Sequence, residues 1–270
     1  MISYAITSHN ETYELKNLLD FLMNWKDQET DEVVILDDFS YDSHIEMLQP
    51  YIDCGFVNTF EQKKLKKDFA SHKNYLNSIC KKDYIFQLDA DELPAETLIA
   101  NLKALINANP TVEMFWIPRI NTVEGITEEH CKMYGYKLDA MGRINFPDPQ
   151  ARLYKNVERI KWVKPVHEIL TGAKVTTALP FEDEFCLIHR KTIEKGEIYS
   201  VGDGGIFKPE IKTILITGVA GLLGARLADW IAENTYHRII GVDDLSGGYI
   251  DNVHKKVEFH QFDLADNSKL

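Results

Sequence analysis

The chain has 270 residues, with 30 basic and 42 acidic side chains and a formal charge of -12. Apolar residues make up 44% and charged residues 27%, which is typical of globular proteins and excludes a disordered or fibrous chain. The acidic excess argues against a general nucleic-acid-binding protein, because such proteins need a surplus of Lys and Arg on one surface. An anionic ligand would therefore require a local basic pocket or a divalent cation.

The N-terminal segment, the length of the apolar runs and the spacing of the cysteines indicate the cellular compartment. The N-terminal segment has no basic region and turns polar after one short strand, so it does not resemble a signal peptide. No apolar run approaches the roughly 20 residues of a membrane-spanning helix. We therefore expect a cytoplasmic protein without a transmembrane segment. The cysteines lack CxxC spacing, which is typical of reduced thiols rather than disulfides or a zinc site; they are Cys54, Cys80, Cys131 and Cys186.

Strands and helices alternate along the first two thirds of the chain. Such alternation predicts a mainly parallel sheet covered by helices, with ligands beyond the carboxyl ends of the strands. Pro94 in a first turn and Pro110 beyond a last turn are typical of helix boundaries. The predicted elements are strand Ile2–Thr7, a helix including Leu18–Trp25, strand Val33–Leu36, helix Phe69–Cys80, strand Tyr84–Leu88, helix Pro94–Ala108 and strand Glu113–Ile120.

A second strand, glycine-rich turn, helix and strand follow near the C-terminus. The strands are Thr213–Ile216 and Arg238–Val242, and the helix between them ends at about Glu233. Glycines and a proline interrupt any periodicity ahead of this unit. We therefore predict a domain over residues 1–198, a linker over 199–210 and a partial Rossmann βαβ unit over 211–270.

Carboxylates follow two of the predicted strands. Asp37 and Asp38 end one strand, and Asp89 and Asp91 form a D-x-D at the end of another. Two carboxylates at this spacing can bring oxygens to one divalent cation such as Mg²⁺ or Mn²⁺, which is often shared with substrate phosphates. The alternative is an acidic turn that stabilises the start of the next helix. Their position at strand ends favours the functional interpretation.

Residues 2–190 resemble the family 2 glycosyltransferases of the GT-A fold. The resemblance rests on four segments in the family's order, which are Ala5–Glu11, Val34–Asp42, Phe69–Asn74 and Asp89–Glu92. It implies an α/β domain with a Rossmann-like mixed sheet that binds a nucleotide sugar, with a UDP-sugar favoured. It also implies transfer of the sugar, with inversion, to a hydroxyl of a glycan or lipid-linked saccharide in polysaccharide biosynthesis. Phe39 departs from the family pattern, which has Gly at this position.

The resemblance implies roles by matched position. Asp91 and Asp89 would hold Mn²⁺ or Mg²⁺ with His189, and the metal would stabilise the departing diphosphate. Glu168, in a segment similar to the family's "vHE" signature, would be the general base, which typically contributes about 10²–10⁴-fold. The alternatives are an ion pair of Glu168 with Lys164 and a structural His189. The donor nucleotide would contact Thr7, Glu11, Asp37, Asp38, Lys73 and Asp89.

A weaker hypothesis concerns the acceptor. Arginine and tryptophan side chains could line a pocket in which rings stack on sugars, although both residue types also serve ordinary packing. The candidates are Arg119, Arg143, Arg152, Trp116 and Trp162.

The C-terminal unit carries a glycine pattern between a strand and a helix. In this context the glycines permit a tight turn and a close approach of pyrophosphate to a helix N-terminus. The spacing resembles that of extended short-chain dehydrogenases, which include NAD-dependent nucleotide-sugar epimerases and dehydratases. The resemblance implies NAD rather than NADP, because Asp243 suits the ribose 2′-hydroxyl. The matching residues are Gly218, Gly221, Gly224, Asp243 and Asp263.

That second family uses a Tyr-x-x-x-Lys pair further along its chain, and this sequence stops at Leu270 without it. We therefore expect a truncated unit without redox turnover. Its unpaired parallel edge would need cover from the first domain or from a second copy in a homo-oligomer.

Three other functions remain open from the sequence. One is a nucleotide-sugar epimerase or dehydratase that works through the NAD-type part, and another is a non-catalytic sugar-nucleotide-binding module. The third is a nucleotidyltransferase, against which the lack of a glycine-rich basic loop after Ile6 argues.

Overall fold

The computed structural model of the chain describes residues 1–192, 213–234 and 237–265. The chain divides into two compact units, Met1–Ile193 and Glu194–Leu270. The predicted linker at residues 199–210 lies outside the described residues. Within the described part, no helix has both the length and the apolarity that crossing a bilayer requires.

The first unit alternates strands and helices as the sequence predicts. A short 3₁₀ helix, Asp183–Phe185, precedes the last strand. The elements are β1 (Ile2–Ser8), α1 (Thr12–Trp25), β2 (Glu32–Asp37), α2 (Asp42–Asp53), β3 (Thr59–Gln62), α3 (Phe69–Ile79), β4 (Tyr84–Asp89), β5 (Glu92–Pro94), α4 (Glu96–Ala108), β6 (Met114–Ile117), β7 (Arg119–Glu124), α5 (Glu128–Tyr134), β8 (Gln150–Lys155), β9 (Lys161–Val163), β10 (Ile169–Thr171), β11 (Thr176–Ala178) and β12 (Leu187–Thr192).

A seven-stranded sheet in the order β11-β6-β8-β4-β1-β2-β3 forms the centre of this unit. Strands β3, β2, β1 and β4 are parallel, whereas β8 runs antiparallel to both β4 and β6. Helices α1, α2 and α4 pack into the hydrophobic core on one face, and α3 packs into the core on the other. Because both faces are covered, the central strands are nearly continuous apolar runs. The predicted α/β class with a mixed sheet is confirmed.

A second, three-stranded sheet in the order β5-β12-β7 lies beside the end of β4. Strand β12 is antiparallel to β5 and parallel to β7. Its register places His189 opposite Glu92 on one side and opposite Asn121 on the other. This small sheet thus brings residues from three distant segments next to the D-x-D.

Two predicted elements are wrong at their boundaries. The helix predicted from Pro94 begins at Glu96, because Pro94 pairs with Leu187 in β5 and the backbone N–H of Ala95 donates to Cys186. The strand predicted over 113–120 is two strands separated by Pro118, with β6 in the large sheet and β7 in the small one. Proline lacks the N–H that a continuous ladder needs.

The second unit is a small parallel sheet with one helix. Its core contains Ile216, Val219, Ala228 and Ile239. The strand order β13-β14-β15 and the intervening helix correspond to the predicted partial Rossmann unit. The elements are β13 (Thr213–Thr217), α6 (Leu222–Asn234), β14 (Arg238–Asp243), a 3₁₀ helix (Ile250–Asn252) and β15 (Val257–Gln261).

Candidate active site

The carboxyl ends of β1, β2 and β4 meet at one edge of the large sheet. The parallel register places Ser8 beside Asp37 and Thr7 beside Asp89. The hydroxyl of Thr7 donates a hydrogen bond of 3.0 Å to Oδ1 of Asp89. Polar side chains from segments more than 80 residues apart are thus brought together where ligands bind to such sheets.

Asp37 and Asp38 occupy different environments at this edge. Asp37 is fully buried, and its carboxylate accepts hydrogen bonds from the hydroxyl of Ser8 (3.1 Å), the backbone N–H of Ser40 (2.8 Å) and the amide of Gln62 (3.0 Å). These bonds hold the loop after β2 and place the carboxylate beneath the surface. Asp38 is nearer the surface, and part of its side chain is exposed to solvent.

Asp38 is positioned by backbone contacts on both sides. Its N–H donates to the carbonyl of Ser8 (2.9 Å), and its Oδ1 accepts from the N–H of Leu65 (2.9 Å). The next residue, Phe39, has φ = 50° and an exposed side chain. The family pattern's Gly adopts such a φ without strain, whereas Phe does not. Of the two aspartates, only Asp38 has an exposed part of its side chain.

Lys73 connects α3 to two acidic residues. Its Nζ donates to Oε1 of Glu168 at 2.7 Å and lies 3.5 Å from Oδ1 of Asp89. It also lies 4.8 Å from the centroid of the Trp162 ring. The lysine side chain is 7% exposed, so this ammonium is held in a largely desolvated pocket. The cation that contacts Glu168 is thus 95 residues earlier in the chain, and it is not Lys164, the partner in the alternative interpretation.

A cluster of buried ionic side chains holds Asp89, the first aspartate of the D-x-D, in place. Arg152, which is 3% exposed, donates from Nη2 to Oδ2 of Asp89 (2.6 Å) and to Oε1 of Glu92 (2.5 Å). Glu92 also accepts from Arg119 (2.8 Å) and from the backbone N–H of Asp89 (3.1 Å). Burial acts to raise the pKa of Asp89, but Arg152 and Lys73 outweigh it and hold that pKa well below its usual range. Asp89 therefore stays ionised.

Asp91 and His189 face each other across the end of β4. Oδ2 of Asp91 lies 3.2 Å from Nε2 of His189. Burial acts to raise the pKa of Asp91, and the hydrogen bond and charge of His189 outweigh it, so the pKa is lowered. The other ring nitrogen, Nδ1, lies 2.8 Å from Oδ1 of Asn121, whose amide nitrogen donates to Asp148 at 2.7 Å.

This chain of bonds orients the imidazole. Because the amide nitrogen of Asn121 is used on Asp148, its oxygen faces Nδ1 of His189, and Nδ1 therefore carries a proton. Nε2 then faces the Asp91 carboxylate, to which it donates a hydrogen bond when it is protonated. Without that proton, Nε2 would offer its lone pair to a cation bound beside Asp91. The donor set of one carboxylate and one imidazole fits Mn²⁺ or Mg²⁺.

Glu11 belongs to the same edge. Its Oε2 accepts a hydrogen bond of 2.6 Å from the backbone N–H of His9. Burial raises the pKa of Glu11 to about 7, and the negative charge of Asp91 adds to this effect. The carboxyl group is thus half protonated near neutral pH and responds to charge at Asp91.

The residues anticipated for an acceptor pocket are dispersed. Arg152 and Trp162 are buried, so the prediction that they line a pocket is wrong. Arg143 pairs with Asp139 and Asp183 and stacks on Phe146. Of the three anticipated arginines, only Arg119 lines a cleft of about 260 Å³ that also contains His189. The other residues that line this cleft are Asn121, Thr122, Val123, Tyr136, Ile144, Asn145, Asp148 and Lys191.

The glycines of the second unit allow close packing of its first turn. Gly218 has φ = 69°, and a Cβ on Gly224 would lie 2.1 Å from the carbonyl oxygen of Gly218. Asp243 accepts hydrogen bonds from the N–H groups of Ala220 (2.9 Å) and Leu245 (2.8 Å), so its carboxylate braces the glycine turn. Gly221 lies in the same turn, and the exposed Asp263 follows β15.

The family model described as Glycosyl transferase family 2 matches residues 3–163. The chain belongs to glycosyl transferase family 2. The family that the sequence predicted is thereby confirmed. A second model, described as NAD dependent epimerase/dehydratase family, matches residues 214–270 of the chain. A comparison with curated proteins found no match.

Solved structures resemble the glycosyltransferase in fold. A crystal structure of Staphylococcus aureus TarS 1-349 is 13% identical, with a TM-score of 0.50, and the match covers 71% of this chain and 60% of that chain. The complex of TarS 1-349 with UDP-GlcNAc is 14% identical, with a TM-score of 0.52, and covers 70% of this chain and 58% of that chain. The chain thus spans about 60% of the length of these structures. At these identities the likeness shows the GT-A fold.

Sequence reasoning missed the residues that support the glycosyltransferase's site. Glu92 directly follows the D-x-D, and its position next to two candidate ligands was a signal that could have drawn attention to it. Asn121 and Asp148 carry no local signal, because their importance arises only when β7 pairs with β12. Arg152 was noticed but assigned to the acceptor instead of the D-x-D.

Proposed function

We propose that the first unit transfers a sugar from a nucleotide-diphosphate donor to a hydroxyl of a glycan or lipid-linked saccharide, with inversion and with help from Mn²⁺ or Mg²⁺. One observation carries the proposal: Asp38, Lys73, Asp89, Asp91 and Glu168 converge at the carboxyl edge of the sheet. Lys73 contacts both Asp89 and Glu168, whereas Asp38 and Asp91 are placed there because they follow β2 and β4.

The donor half follows from the chemistry of each side chain. Asp38 is the acceptor for the nucleoside base, and Lys73 offers a cation to the diphosphate. Thr7 and Arg152 fix Asp89, whose partly exposed carboxylate we place beside the ribose. UDP is the first nucleotide to test, since the TarS structures of the same fold include complexes with UDP and UDP-GlcNAc.

Asp91 and His189 are the residues that would hold the cation. A bound Mn²⁺ or Mg²⁺ would supply Lewis-acid stabilisation of the leaving diphosphate. The described residues hold no cluster of three or more His, Cys, Asp or Glu side chains arranged for a metal ion. Diphosphate oxygens and water would therefore complete the shell, as is usual for Mg²⁺ in substrate phosphate sites. Asp89 is engaged by Arg152 and Lys73, so we assign it a supporting role beside the metal.

The acceptor side is the cleft of about 260 Å³ beside His189. Its lining combines polar side chains, such as Asn121 and Asp148, with the apolar Val123 and Ile144, and this mixture suits a saccharide. We propose Glu168, which contacts Lys73, as the base for the acceptor hydroxyl. Inversion follows from a single displacement of this kind.

A second candidate function concerns NAD. The specific observation is the glycine turn at Gly218 that leads directly into α6, with Gly224 packed against it. We propose that this turn binds a pyrophosphate at the helix N-terminus, without hydride transfer. Titration of the whole chain with NAD⁺ tests it, and a Gly221→Glu variant serves as the non-binding comparison.

The test of the transferase proposal is calorimetric titration with UDP-, GDP- and dTDP-sugars, with and without Mn²⁺. We expect one nucleotide class to bind at least about 10-fold more tightly with Mn²⁺, and Asp91→Ala to remove that gain. Asp83→Ala is the matched control, because it deletes an exposed carboxylate just before β4, whereas Asp91 follows the same strand. Metal-independent binding, or a gain that survives in Asp91→Ala, would refute the proposed site.

A further inference from the structure

Lys73 and Glu168 bind each other, although the proposed function needs both for the substrates. The ammonium assigned to the diphosphate donates a 2.7 Å hydrogen bond to the carboxylate assigned to the acceptor hydroxyl. Their side chains are 7% and 18% exposed. The Coulombic attraction between two charges is stronger in so dry a pocket than at the surface, and a competing anion at the ammonium would favour opening of the pair.

The pair is not needed to attach α3 to its neighbours. Asn74, the next residue on α3, exchanges two bonds with the backbone of Trp162, at 2.8 and 2.9 Å. The N–H of Phe69, at the start of α3, donates to the carbonyl of Pro165 at 2.9 Å. These three bonds already fix the helix to the segment that carries Glu168. The Lys73–Glu168 contact is therefore available for another role.

The other contacts of Lys73 define how it can move. Asp89 is anchored by Arg152 at 2.6 Å and by Thr7 at 3.0 Å, so it is a fixed point at the edge where the diphosphate would sit. The lysine stem has four flexible carbons, and its ammonium is a compact charge that can exchange partners by bond rotation. A short rotation that keeps Nζ near Asp89 can release Glu168.

We propose that binding of the nucleotide-sugar donor opens the Lys73–Glu168 ion pair, so that Lys73 is a positioning residue for the base. This inference rests on the proposed function. The diphosphate takes the ammonium of Lys73, and Glu168 becomes free to accept a hydroxyl proton only when a donor is present. As that proton moves to Glu168, the hydroxyl oxygen bonds to the anomeric carbon, and the diphosphate leaves with the electron pair of the broken bond.

A double-mutant cycle tests the coupling through binding alone. UDP and GDP are each titrated with MnCl₂ into the wild-type chain, Glu168→Gln, Lys73→Met and the double variant. In the wild type, binding must break the ion pair, whereas in Glu168→Gln the ammonium no longer has a charged partner to leave. We expect Glu168→Gln to bind the diphosphate about 10-fold more tightly and Lys73→Met to bind it at least about 10-fold more weakly. The gain from Glu168→Gln should vanish in the Lys73→Met background.

Glu113→Gln is the matched control, because Glu113 is a carboxylate of similar exposure (13%) that pairs with Arg159. It should leave affinity unchanged. Lys73→Gln replaces Lys73→Met if the latter does not fold, as judged by circular dichroism. Unchanged or weaker binding by Glu168→Gln, or a gain that persists without Lys73, overturns the inference alone. A wild-type chain that binds neither nucleotide overturns the proposed function and, with it, this inference.

Discussion

Replacing Glu11 by Gln should stabilise the first unit, and more so at alkaline pH. Burial and Asp91 raise the pKa of Glu11 from 4.5 to about 7 in the folded protein. Well below pH 4.5 the Glu11 carboxyl is protonated in both the folded and the unfolded chain, so its raised pKa does not change the free energy of unfolding. As the pH rises from 4.5 through 7, the unfolded chain ionises first, so folding must keep a proton on Glu11 and stability falls.

The size of the expected stabilisation follows from the difference between the pKa of Glu11 in the unfolded chain and its pKa in the folded chain. At about 1.4 kcal/mol per pH unit, the change from 4.5 to about 7 corresponds to at most about 3 kcal/mol, fully expressed above pH 7. Gln can still accept the bond from the N–H of His9, so the substitution removes the charge and keeps the contact. We expect Glu11→Gln to be more stable than wild type by up to about 3 kcal/mol at pH 8 and by less than about 1 kcal/mol at pH 5.

Urea unfolding at pH 5 and pH 8 in metal-free buffer measures the effect. A Trp230→Phe background leaves only tryptophans of the first unit as fluorescent reporters. Glu29→Gln, which removes an exposed carboxylate of the same unit, corrects for net charge. Equal stability differences at the two pH values would refute the reasoning. The remaining tryptophans are Trp25, Trp116 and Trp162.

Three further predictions concern the supporting residues. Asn121→Leu should weaken Mn²⁺ binding, followed by electron paramagnetic resonance, by at least about 10-fold, since His189 loses the partner that orients it; unchanged binding would contradict this. Glu92→Gln should cost about 3 kcal/mol in urea unfolding, because two arginines lose a buried carboxylate, whereas the exposed Glu96→Gln should cost little. Gly224→Ala should lower the melting temperature reported by Trp230 fluorescence, because its Cβ would clash with the carbonyl of Gly218; Gly247→Ala, in open space, should not, and equal effects would contradict the packing.

The sequence predicted the parts of the site that follow from strand ends. Apolar runs such as Val33–Leu36 marked buried parallel strands, and their polar ends therefore had to share one edge. This reasoning places Asp38 and Asp89 at one edge of the sheet, and the structure has them there, on either side of β1. It could not distinguish buried Asp37 from accessible Asp38, because the difference depends on Gln62 and Ser40, whose contacts form only in the folded loop.

Long-range pairings account for what the sequence did not predict. Arg152 meets Glu92 across 60 residues, and Lys73 meets Glu168 across 95, so neither partner could be chosen from local spacing. His189 reaches Asp91 because β12 returns to pair with both β5 and β7. The position of Pro94 in a strand has the same cause, since only the partner strand shows that the chain is extended there.

Anomalous diffraction at the manganese edge, from crystals grown with Mn²⁺ and UDP, tests the central claim most directly. We expect a manganese peak in contact with Asp91, His189 and a diphosphate oxygen, with the uracil next to Asp38. Nucleotide bound elsewhere, or diphosphate bound at this edge with no manganese at Asp91, would contradict the account.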